Sequence, residues 1–174
     1  MVLADASAHN KAVQTGDFEC ACLHTPVPKD EEIYVEAPLE AGLKEDEIWM
    51  LDKAMYGLRQ APYWFTEHLA EILVNKMGYR RMKSDAQIFK NDQTEVTFSI
   101  HMDDPLGTGP VDALGYSEAL DDAFDELALY FRVKKEQQWK VGDRTKYLGR
   151  TYIKTEKGFR VRNTDKYIPD TLLL

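Results

Sequence analysis

The sequence predicts an α+β fold, with an antiparallel sheet and helices packed on one of its faces. Most apolar runs with strand character are short and joined by tight turns, which indicates hairpins and therefore antiparallel pairing. Two longer segments, residues 63–77 and 117–131, instead carry apolar side chains near helical spacing. Hairpin-connected strands with separate amphipathic helices on one side are typical of the α+β class.

The first third of the chain predicts one helix and three short strands. Alanine-rich residues 2–12 are expected to end a helix, and residues 13–19 follow as a strand. Residues 20–29 contain two prolines and predict a turn. Alternation of apolar and acidic residues predicts a strand over 33–36, and a further short strand is expected over 48–51 after a loop.

Both predicted helices have recognisable ends. Residues 55–60 form a bend, and Pro62 suits the first turn of the helix that follows, where a missing N–H costs nothing. Gly78 provides a C-terminal cap for that helix. The second helix begins at Ser117, a natural N-cap, and its acidic residues form a solvent-exposed face near the N-terminus.

The remaining strands are expected to pair as hairpins. Asn91-Asp92 marks one turn, and Glu156-Lys157-Gly158 marks another. A short helix is expected from Thr164 onward. The expected strands are, in order, residues 88–90, 96–100, 147–153 and 159–161.

Length and composition fit one ordinary globular domain with a short extension. The chain has 174 residues, of which 44% are hydrophobic and 30% are charged. No apolar stretch approaches the ~20 residues that span a bilayer, and the N-terminus lacks the pattern of a signal peptide. Cys20 and Cys22 lie too close for an ordinary bridge. We interpret them as reduced thiols, which indicates an intracellular protein.

The net charge of −8 argues against an enzyme that grips nucleic acid on its own. Proteins that bind the phosphate backbone usually carry a basic excess, because binding draws on counterion release. This chain has 22 Lys and Arg against 30 Asp and Glu. Its local basic clusters, each expected to be a solvated face, are residues 80–83, 134–135, 144–146 and 160–162.

Asp103 and Asp104 are the most informative residues of the chain. They follow a strand-like apolar run, and adjacent carboxylates repel each other unless a cation or water lies between them. Asp17, in another predicted strand, supplies a third acid. Mg²⁺ prefers oxygen ligands, and two such ions stabilise the entering and leaving oxygens of a phosphoryl transfer. The alternative is an ordinary surface turn, in which aspartate is favoured.

With these residues in view, the chain resembles the reverse transcriptases of copia-type retrotransposons over most of its length. The most specific block is Lys53-Ala-Met-Tyr-Gly-Leu-Arg-Gln-Ala-Pro62, followed by Trp64. His101-Met-Asp-Asp104 takes the place of the family's aromatic-Val-Asp-Asp. The other similar blocks are Thr15-Gly-Asp-Phe-Glu-Cys-Ala-Cys-Leu-His24, Glu32-Ile-Tyr-Val-Glu-Ala-Pro38, Gly78-Tyr79, Lys83-Ser84-Asp85 with Phe89, Lys146-Tyr-Leu-Gly149 and Asp165-Lys-Tyr-Ile168.

The resemblance implies a polymerase palm over residues 1–154 and an extension toward the thumb or connection over 155–174. Asp17, Asp103 and Asp104 would be catalytic and would hold two Mg²⁺ ions. One ion would activate the primer 3′ hydroxyl, and the other would neutralise the triphosphate. The implied partners are an RNA template, a DNA primer and a dNTP, and the implied location is the cytoplasm or nucleus.

The resemblance also implies roles for residues that contact substrate. Gln60 would pack beneath the incoming nucleotide or its template partner, and Arg59 would touch phosphate. Phe18 would lie near the sugar of the incoming nucleotide or, equally, would be an ordinary core aromatic. His101 would stack or donate a hydrogen bond. The hairpin that supports the primer end would contain Tyr147, Leu148 and Gly149.

The chain departs from the family pattern at three points. His101 replaces the tyrosine before the two acids, and its charge depends on pH near neutrality. Pro105 follows the acids directly, and because proline cannot donate to a sheet ladder we expect a bent return strand. The chain begins just before the first aspartate, so the upstream fingers with their basic residues are expected to be truncated.

Two functions from different classes follow. The first is an RNA-directed DNA polymerase fragment, or one subunit of a split polymerase, which the three acids and the Gln60 block favour. The second is a domesticated, non-catalytic palm that serves as a structural or protein-binding subunit, which the acidic balance, the expected truncation of the fingers and Pro105 favour. A metal-dependent hydrolase using the same acids is a third interpretation, and nothing beyond the acids supports it.

Overall fold

The computed structural model describes residues 2–42 and 47–163. Within these ranges the helices are α1 (Val2–Ala8), α2 (Ala61–Asn75) and α3 (Glu118–Leu127), with short 3-10 helices at Ala21–His24 and Leu39–Ala41. The strands are β1 (Ala12–Phe18), β2 (Tyr34–Glu36), β3 (Ile48–Met50), β4 (Arg80–Arg81), β5 (Ile88–Lys90), β6 (Thr97–His101), β7 (Asp104–Gly109), β8 (Val133–Lys135), β9 (Arg144–Tyr147), β10 (Arg150–Thr155) and β11 (Gly158–Asn163).

A six-stranded antiparallel sheet, in the order β4-β5-β6-β7-β1-β8, forms the centre of the structure. Strands β9, β10 and β11 form a second antiparallel sheet, and β2 and β3 pair as a separate ribbon. Helices combined with antiparallel sheets agree with the predicted α+β class. The helices of the described residues are neither long nor apolar enough to cross a membrane.

Helices α2 and α3 cover one face of the central sheet. Phe65 and Leu69 of α2 share a core with Leu120 and Phe124 of α3 and with Phe98 of β6. The rings of Phe98 and Phe124 meet edge to face with centroids 5.2 Å apart, an arrangement that aromatic pairs prefer. This core gives the central sheet a closely packed support on that side.

Strand β7 approaches α3 so closely that only glycine fits in part of it. A Cβ on Gly107 would lie 2.6 Å from a methyl carbon of Leu120 and 2.9 Å from the ring of Phe98. A Cβ on Gly109 would lie 2.7 Å from the Ser117 hydroxyl oxygen. The glycines of the return strand are therefore a packing requirement.

Helix α1 lies on the opposite face, so the expected packing of helices on one face holds for α2 and α3 only. Val2 and Ala6 of α1 join Val13 of β1 and Leu106 of β7 in a second core cluster. Phe159 of β11 packs against the same cluster. The sheet of β9, β10 and β11 therefore lies on the side of the central sheet that α2 and α3 leave free.

Helix ends differ from the prediction where local backbone geometry intervenes. Helix α1 ends at Ala8 and not at residue 12, and Asn10 has a left-handed backbone with φ of 49°. Helix α3 ends at Leu127 and not at residue 131, although the N–H groups of Tyr130 and Phe131 both donate to the carbonyl of Leu127 in the turns that follow. The sequence does not predict the strands β4 and β8. The prediction of one strand over 147–153 is wrong, because a turn at Leu148 and Gly149 separates β9 from β10. The helix expected from Thr164 lies outside the described residues.

The predicted caps are confirmed. The Ser117 hydroxyl accepts a hydrogen bond from the backbone N–H of Leu120 at 3.3 Å. Gly78 has a φ of 71°, and the N–H of Tyr79 donates to the carbonyl of Leu73 at 2.9 Å. This bond joins residues six positions apart, one more than in the Schellman motif, so the helix ends in a wider turn that uses the same left-handed glycine.

Tyr79 should make the protein less stable in alkali. Burial raises the pKa of this phenol, and the charge of Glu126 acts in the same direction. The unfolded chain ionises its tyrosines near a pKa of about 10, so above that pH it binds fewer protons than the folded chain and the free energy of unfolding falls. Urea denaturation between pH 8 and 11 should show this decline, and Tyr79→Phe should reduce it. Tyr63→Phe, which removes an exposed phenol, should leave the decline as in the wild type; equal slopes in all three proteins would contradict the prediction.

Candidate functional site

The register between β1 and β7 makes Asp17 and Asp104 direct neighbours. Thr15 pairs with Leu106, and continuing the same antiparallel register places Asp17 opposite Asp104. Directly opposed residues of antiparallel strands present their side chains on the same face, with Cβ atoms about 5 Å apart. Side chains alternate along a strand, so both acids share the face of Val13 and Leu106, away from α2 and α3.

A row of charged and titratable side chains crosses the central sheet at this level. His101 of β6 pairs with Asp104, and Lys134 of β8 pairs with Asp17. Because cross-strand partners share a face, His101, Asp104, Asp17 and Lys134 follow one another over four adjacent strands. A basic or ionisable group therefore flanks the two carboxylates on each side.

Asp103 lies at the tip of the β6–β7 hairpin. Its turn partner Met102 has a left-handed backbone with φ of 56°, which two-residue hairpin turns of the primed types require. The carbonyl of Asp103 accepts a hydrogen bond from the N–H of Phe18 at 2.8 Å. The tip is thus tied to the end of β1, one residue past Asp17.

Pro105 interrupts one ladder without breaking the strand. It pairs with Ile100, so β7 remains continuous with β6. The ladder between β1 and β7 ends at Thr15 and Leu106, because the next hydrogen bond would need an N–H that proline lacks. The loss of hydrogen bonding at Pro105 therefore affects only the pairing with β1. It falls between the Thr15–Leu106 pair and the hydrogen bond from Phe18 to Asp103.

Burial and the two neighbouring acids act together on the carboxyl group of Asp104. Partial burial raises the pKa of its carboxyl group, and the negative charges of Asp103 and Asp17 raise it further. His101 lowers it. The site therefore concentrates negative charge where desolvation already disfavours it, and a bound cation would relieve both effects.

The oxygen atoms that the three acids offer are chemically suited to a hard cation. Asp17, Asp103 and Asp104 offer carboxylate oxygens, which are the ligands that Mg²⁺ prefers. Within the described residues, however, no three His, Cys, Asp or Glu side chains form a group that could hold a metal ion. The acids are neighbours on adjoining strands, and in this conformation they do not form a closed ligand set.

The β9–β10 hairpin forms the other wall of the cleft above these acids. The cleft has a volume of 510 Å³, and Asp17, Asp104, Tyr147 and Leu148 all line it. The Tyr147 hydroxyl donates to the carbonyl of Asp104 at 3.2 Å. The structure thus brings two of the three predicted acids and two of the three predicted primer-supporting residues to one cleft.

The turn of this hairpin holds a leucine in an unfavourable conformation. Leu148 has a φ of 46° and Gly149 has a φ of 72°, between the paired residues Tyr147 and Arg150. Two consecutive positive φ values are typical of a type I′ turn, for which Asn-Gly is preferred. A leucine is strained in this conformation, and its side chain is 45% exposed. Neither the local geometry nor burial therefore explains why leucine occupies this position. Strain of this kind is frequent at ligand-contacting positions.

One face of the second sheet carries four cations. Lys146 and Arg162 both pair with Thr151, while Arg144 and Arg160 both pair with Ile153. Cross-strand partners share a face, so the four basic side chains surround Thr151 and Ile153 on the side opposite the aromatic contacts of this sheet. Residues 144–163 contain seven Lys or Arg and a single acid, Glu156, whereas the whole chain is acidic.

The remaining predicted residues lie outside the cleft. Phe18 is 1% exposed, and its ring contacts those of Phe65 and Phe131, each with a centroid distance of 5.5 Å. The structure therefore favours the core interpretation of Phe18. Arg59 and Gln60 are exposed immediately before α2 and do not line the cleft of Asp17.

Two residues near the acids are not predicted from the sequence. The sequence predicts Lys134 to belong to a solvated cluster, and its place beside Asp17 follows only from the β1–β8 pairing. Tyr56, in the bend before α2, lies close enough to Asp103 for that acid to contribute to the raised pKa of its phenol, of which burial is the main cause. No local signal marks either residue, because both contacts join segments far apart in the chain.

A model of the family described as "Reverse transcriptase (RNA-dependent DNA polymerase)" matches residues 1–172. The chain belongs to the reverse transcriptase family. This match confirms the resemblance that the Lys53–Pro62 and His101–Asp104 blocks indicated.

Retrotransposon polyproteins of Saccharomyces cerevisiae are similar to part of the chain. "Truncated transposon Ty1-A Gag-Pol polyprotein" is 28% identical over 104 residues, which cover 60% of this chain and 8% of that protein. "Transposon Ty1-DR5 Gag-Pol polyprotein" is also 28% identical over 104 residues, covering 60% of this chain and 6% of that protein. These relatives agree with the copia type, and the matched stretch spans less than a tenth of either relative.

Replacement of Leu148 by asparagine should stabilise the protein. Asparagine tolerates the left-handed backbone of this turn, so Leu148→Asn should raise the free energy of unfolding by about 0.5–1 kcal/mol, measured by urea denaturation. Leu114→Asn, at an exposed position without a positive φ, is the matched control and should change stability by less than about 0.5 kcal/mol. A loss of stability in Leu148→Asn would show that the leucine side chain makes a stabilising contact.

Proposed function

We propose that this reverse transcriptase domain provides the catalytic carboxylates of an RNA-directed DNA polymerase, which joins a nucleotide to the 3′ end of a primer. One observation carries the proposal. The β1–β7 register makes Asp17 and Asp104 neighbours, and the hydrogen bond from Phe18 holds Asp103 beside them. Acids separated by more than 80 positions in sequence are thereby neighbours in the fold, which supports the proposal.

In this proposal Asp17, Asp103 and Asp104 hold Mg²⁺. Two bound ions would activate the primer hydroxyl and stabilise the charge of the triphosphate. The residues of the chain itself position and balance the acids. His101 opposes the rise in the pKa of Asp104 and so favours the ionised carboxylate that binds cations.

The second sheet would bind the nucleic acid. Local charge, and not net charge, determines where a phosphate backbone binds. The net charge of −8 argues against nucleic-acid binding by the chain as a whole. It does not argue against binding on the basic face, which consists of Arg144, Lys146, Arg160 and Arg162. Tyr147, Leu148 and Gly149 would support the primer end from the adjacent hairpin. RNA template, DNA primer and dNTP are the proposed partners. Copying of this kind takes place inside the cell, and we propose an intracellular location, in the cytoplasm or nucleus.

The proposed division into residues 1–154 and 155–174 falls at the end of β10. Strand β10 pairs with β11 from Arg150 to Thr155. The described start of the extension is therefore part of the second sheet, and we propose that it continues the surface that meets the primer.

A non-catalytic role is the second candidate, and the β2–β3 ribbon favours it. Tyr34, Ile48, Trp49 and Met50 of this ribbon are all exposed. Contiguous exposed apolar side chains frequently mark surfaces that bind other proteins. In that case the chain would be a structural subunit of a larger assembly, and its acids would not be used for catalysis.

Primer extension separates these two functions. With Mg²⁺, dNTPs and an RNA template annealed to a DNA primer, the wild type should extend the primer, and Asp103→Asn should reduce the rate by about 100-fold or more because a charged metal ligand is lost. Asp122→Asn, an exposed acid of α3, should extend at the wild-type rate. Equal extension by all three proteins would exclude Asp103 from the mechanism. No extension by a folded wild type would favour the structural role.

Charge reversal on the second sheet tests the nucleic-acid surface independently of catalysis. Arg160→Glu combined with Arg162→Glu should weaken binding of the primer–template duplex and lower the slope of log K against log salt by about 2. Lys29→Glu combined with Lys76→Glu, with the same change in net charge, should have a smaller effect on both. Equal losses in the two double variants would mean that only the net charge matters.

A further inference from the structure

A second cleft lies between α2 and the loop that follows the first 3-10 helix. Its volume is 570 Å³, and residues of both segments line it. Trp64, Glu67, His68 and Glu71 come from α2, at the spacing that puts side chains on one face of a helix. Helix α2 covers the face of the central sheet opposite the one that carries Asp17 and Asp104, so this cleft is separate from the proposed polymerase site.

The walls of this cleft are acidic and aromatic. Asp30 and Glu31 of the loop face Glu67 and Glu71 of the helix across it. Like charges at positions i and i+4, such as those of Glu67 and Glu71, repel each other and destabilise a helix. A cationic ligand would turn this repulsion into attraction.

The chain itself supplies little positive charge here. Arg81 reaches Glu67, with a nitrogen–oxygen distance of 2.9 Å. Within the part of the chain that the structure describes, Asp30, Glu31 and Glu71 take part in no ion pair. Burial lowers the pKa of His68, so its ring is mostly neutral at neutral pH and does not compensate the carboxylates.

A buried polar group in the same wall is also unsatisfied. Thr25 lines the cleft and is 2% exposed. Its hydroxyl has no hydrogen-bond partner among the described residues. Buried hydroxyl groups without a partner are rare and costly, so this wall of the cleft holds a polar group whose hydrogen-bonding capacity is unused.

We propose that this cleft binds an arginine-rich, extended segment of a partner protein. The guanidinium group matches carboxylates with a planar fork and also stacks on aromatic rings. Both features are present, since Arg81 already pairs with Glu67 and the ring of Tyr63, which is 67% exposed, borders the cleft. Lysine offers a point charge without the planar contact, so the cleft should prefer arginine.

Calorimetric titration of the full chain at physiological salt tests the proposal. The probes are end-blocked hexa-arginine, hexalysine and hexaglutamate peptides. Hexa-arginine should bind at least several-fold more tightly than hexalysine, and hexaglutamate should not bind. Asp30→Asn combined with Glu71→Gln should weaken hexa-arginine binding at least tenfold. NMR shifts on adding the peptide should centre on the indole of Trp64 and not on that of Trp49.

A matched variant controls for simple attraction to an acidic protein. Glu118→Gln combined with Asp122→Asn removes the same two charges from exposed positions one turn apart on α3, and it should weaken binding less than threefold. Equal weakening by the two double variants, equal affinity for the lysine peptide, or no binding by the wild type would overturn the proposal. Self-association of the wild type that hexa-arginine disrupts would also overturn it, because the occupant would then be a second copy of the chain.

Discussion

The antiparallel register between β1 and β7 is the constraint on which the site depends. It sets Thr15 opposite Leu106 and so places Asp17 opposite Asp104. A slip of one residue would turn Asp17 to the other face of the sheet, where Phe18 and its aromatic neighbours form the core. The burial of Phe18 on one face and of Val13 on the other therefore holds the register, and the acids follow from it.

The two faces of the central sheet differ in what they contact. Helices α2 and α3 pack against one face so closely that Gly107 cannot carry a side chain without a clash. The other face carries the acids and lies below the β9–β10 hairpin, which is joined to Asp104 by the Tyr147 hydroxyl. Left-handed backbone at Met102 and Leu148 lies at the two turns nearest the cleft. The closely packed face under α2 and α3 thus supports the opposite face, where the turns at Met102 and Leu148 keep an unfavourable backbone conformation.

Local patterns in the sequence predicted most elements and the pair of acids, because alternation, caps and turn residues act over a few positions. Contacts between distant segments could not be predicted this way. The neighbour relation of Lys134 and Asp17 depends on a strand pairing across more than 100 residues, and the side on which α1 packs depends on the same topology. The net charge did not predict the basic surface. Four cations lie on one face of the second sheet, and much of the negative charge lies elsewhere in the chain. Phe18 could be read as core or as substrate contact until its ring neighbours were known.

The central claim is that the carboxylates of β1 and of the β6–β7 hairpin bind Mg²⁺ together, as one site. Its most direct measurement is paramagnetic broadening of backbone NMR signals when Mn²⁺ is titrated into the full chain in place of Mg²⁺. We predict that the signals of Asp17, Asp103 and Asp104 broaden together at the lowest Mn²⁺ concentration. Broadening at Asp103 and Asp104 without Asp17, or first broadening at Glu36 of the β2–β3 ribbon, would contradict the account.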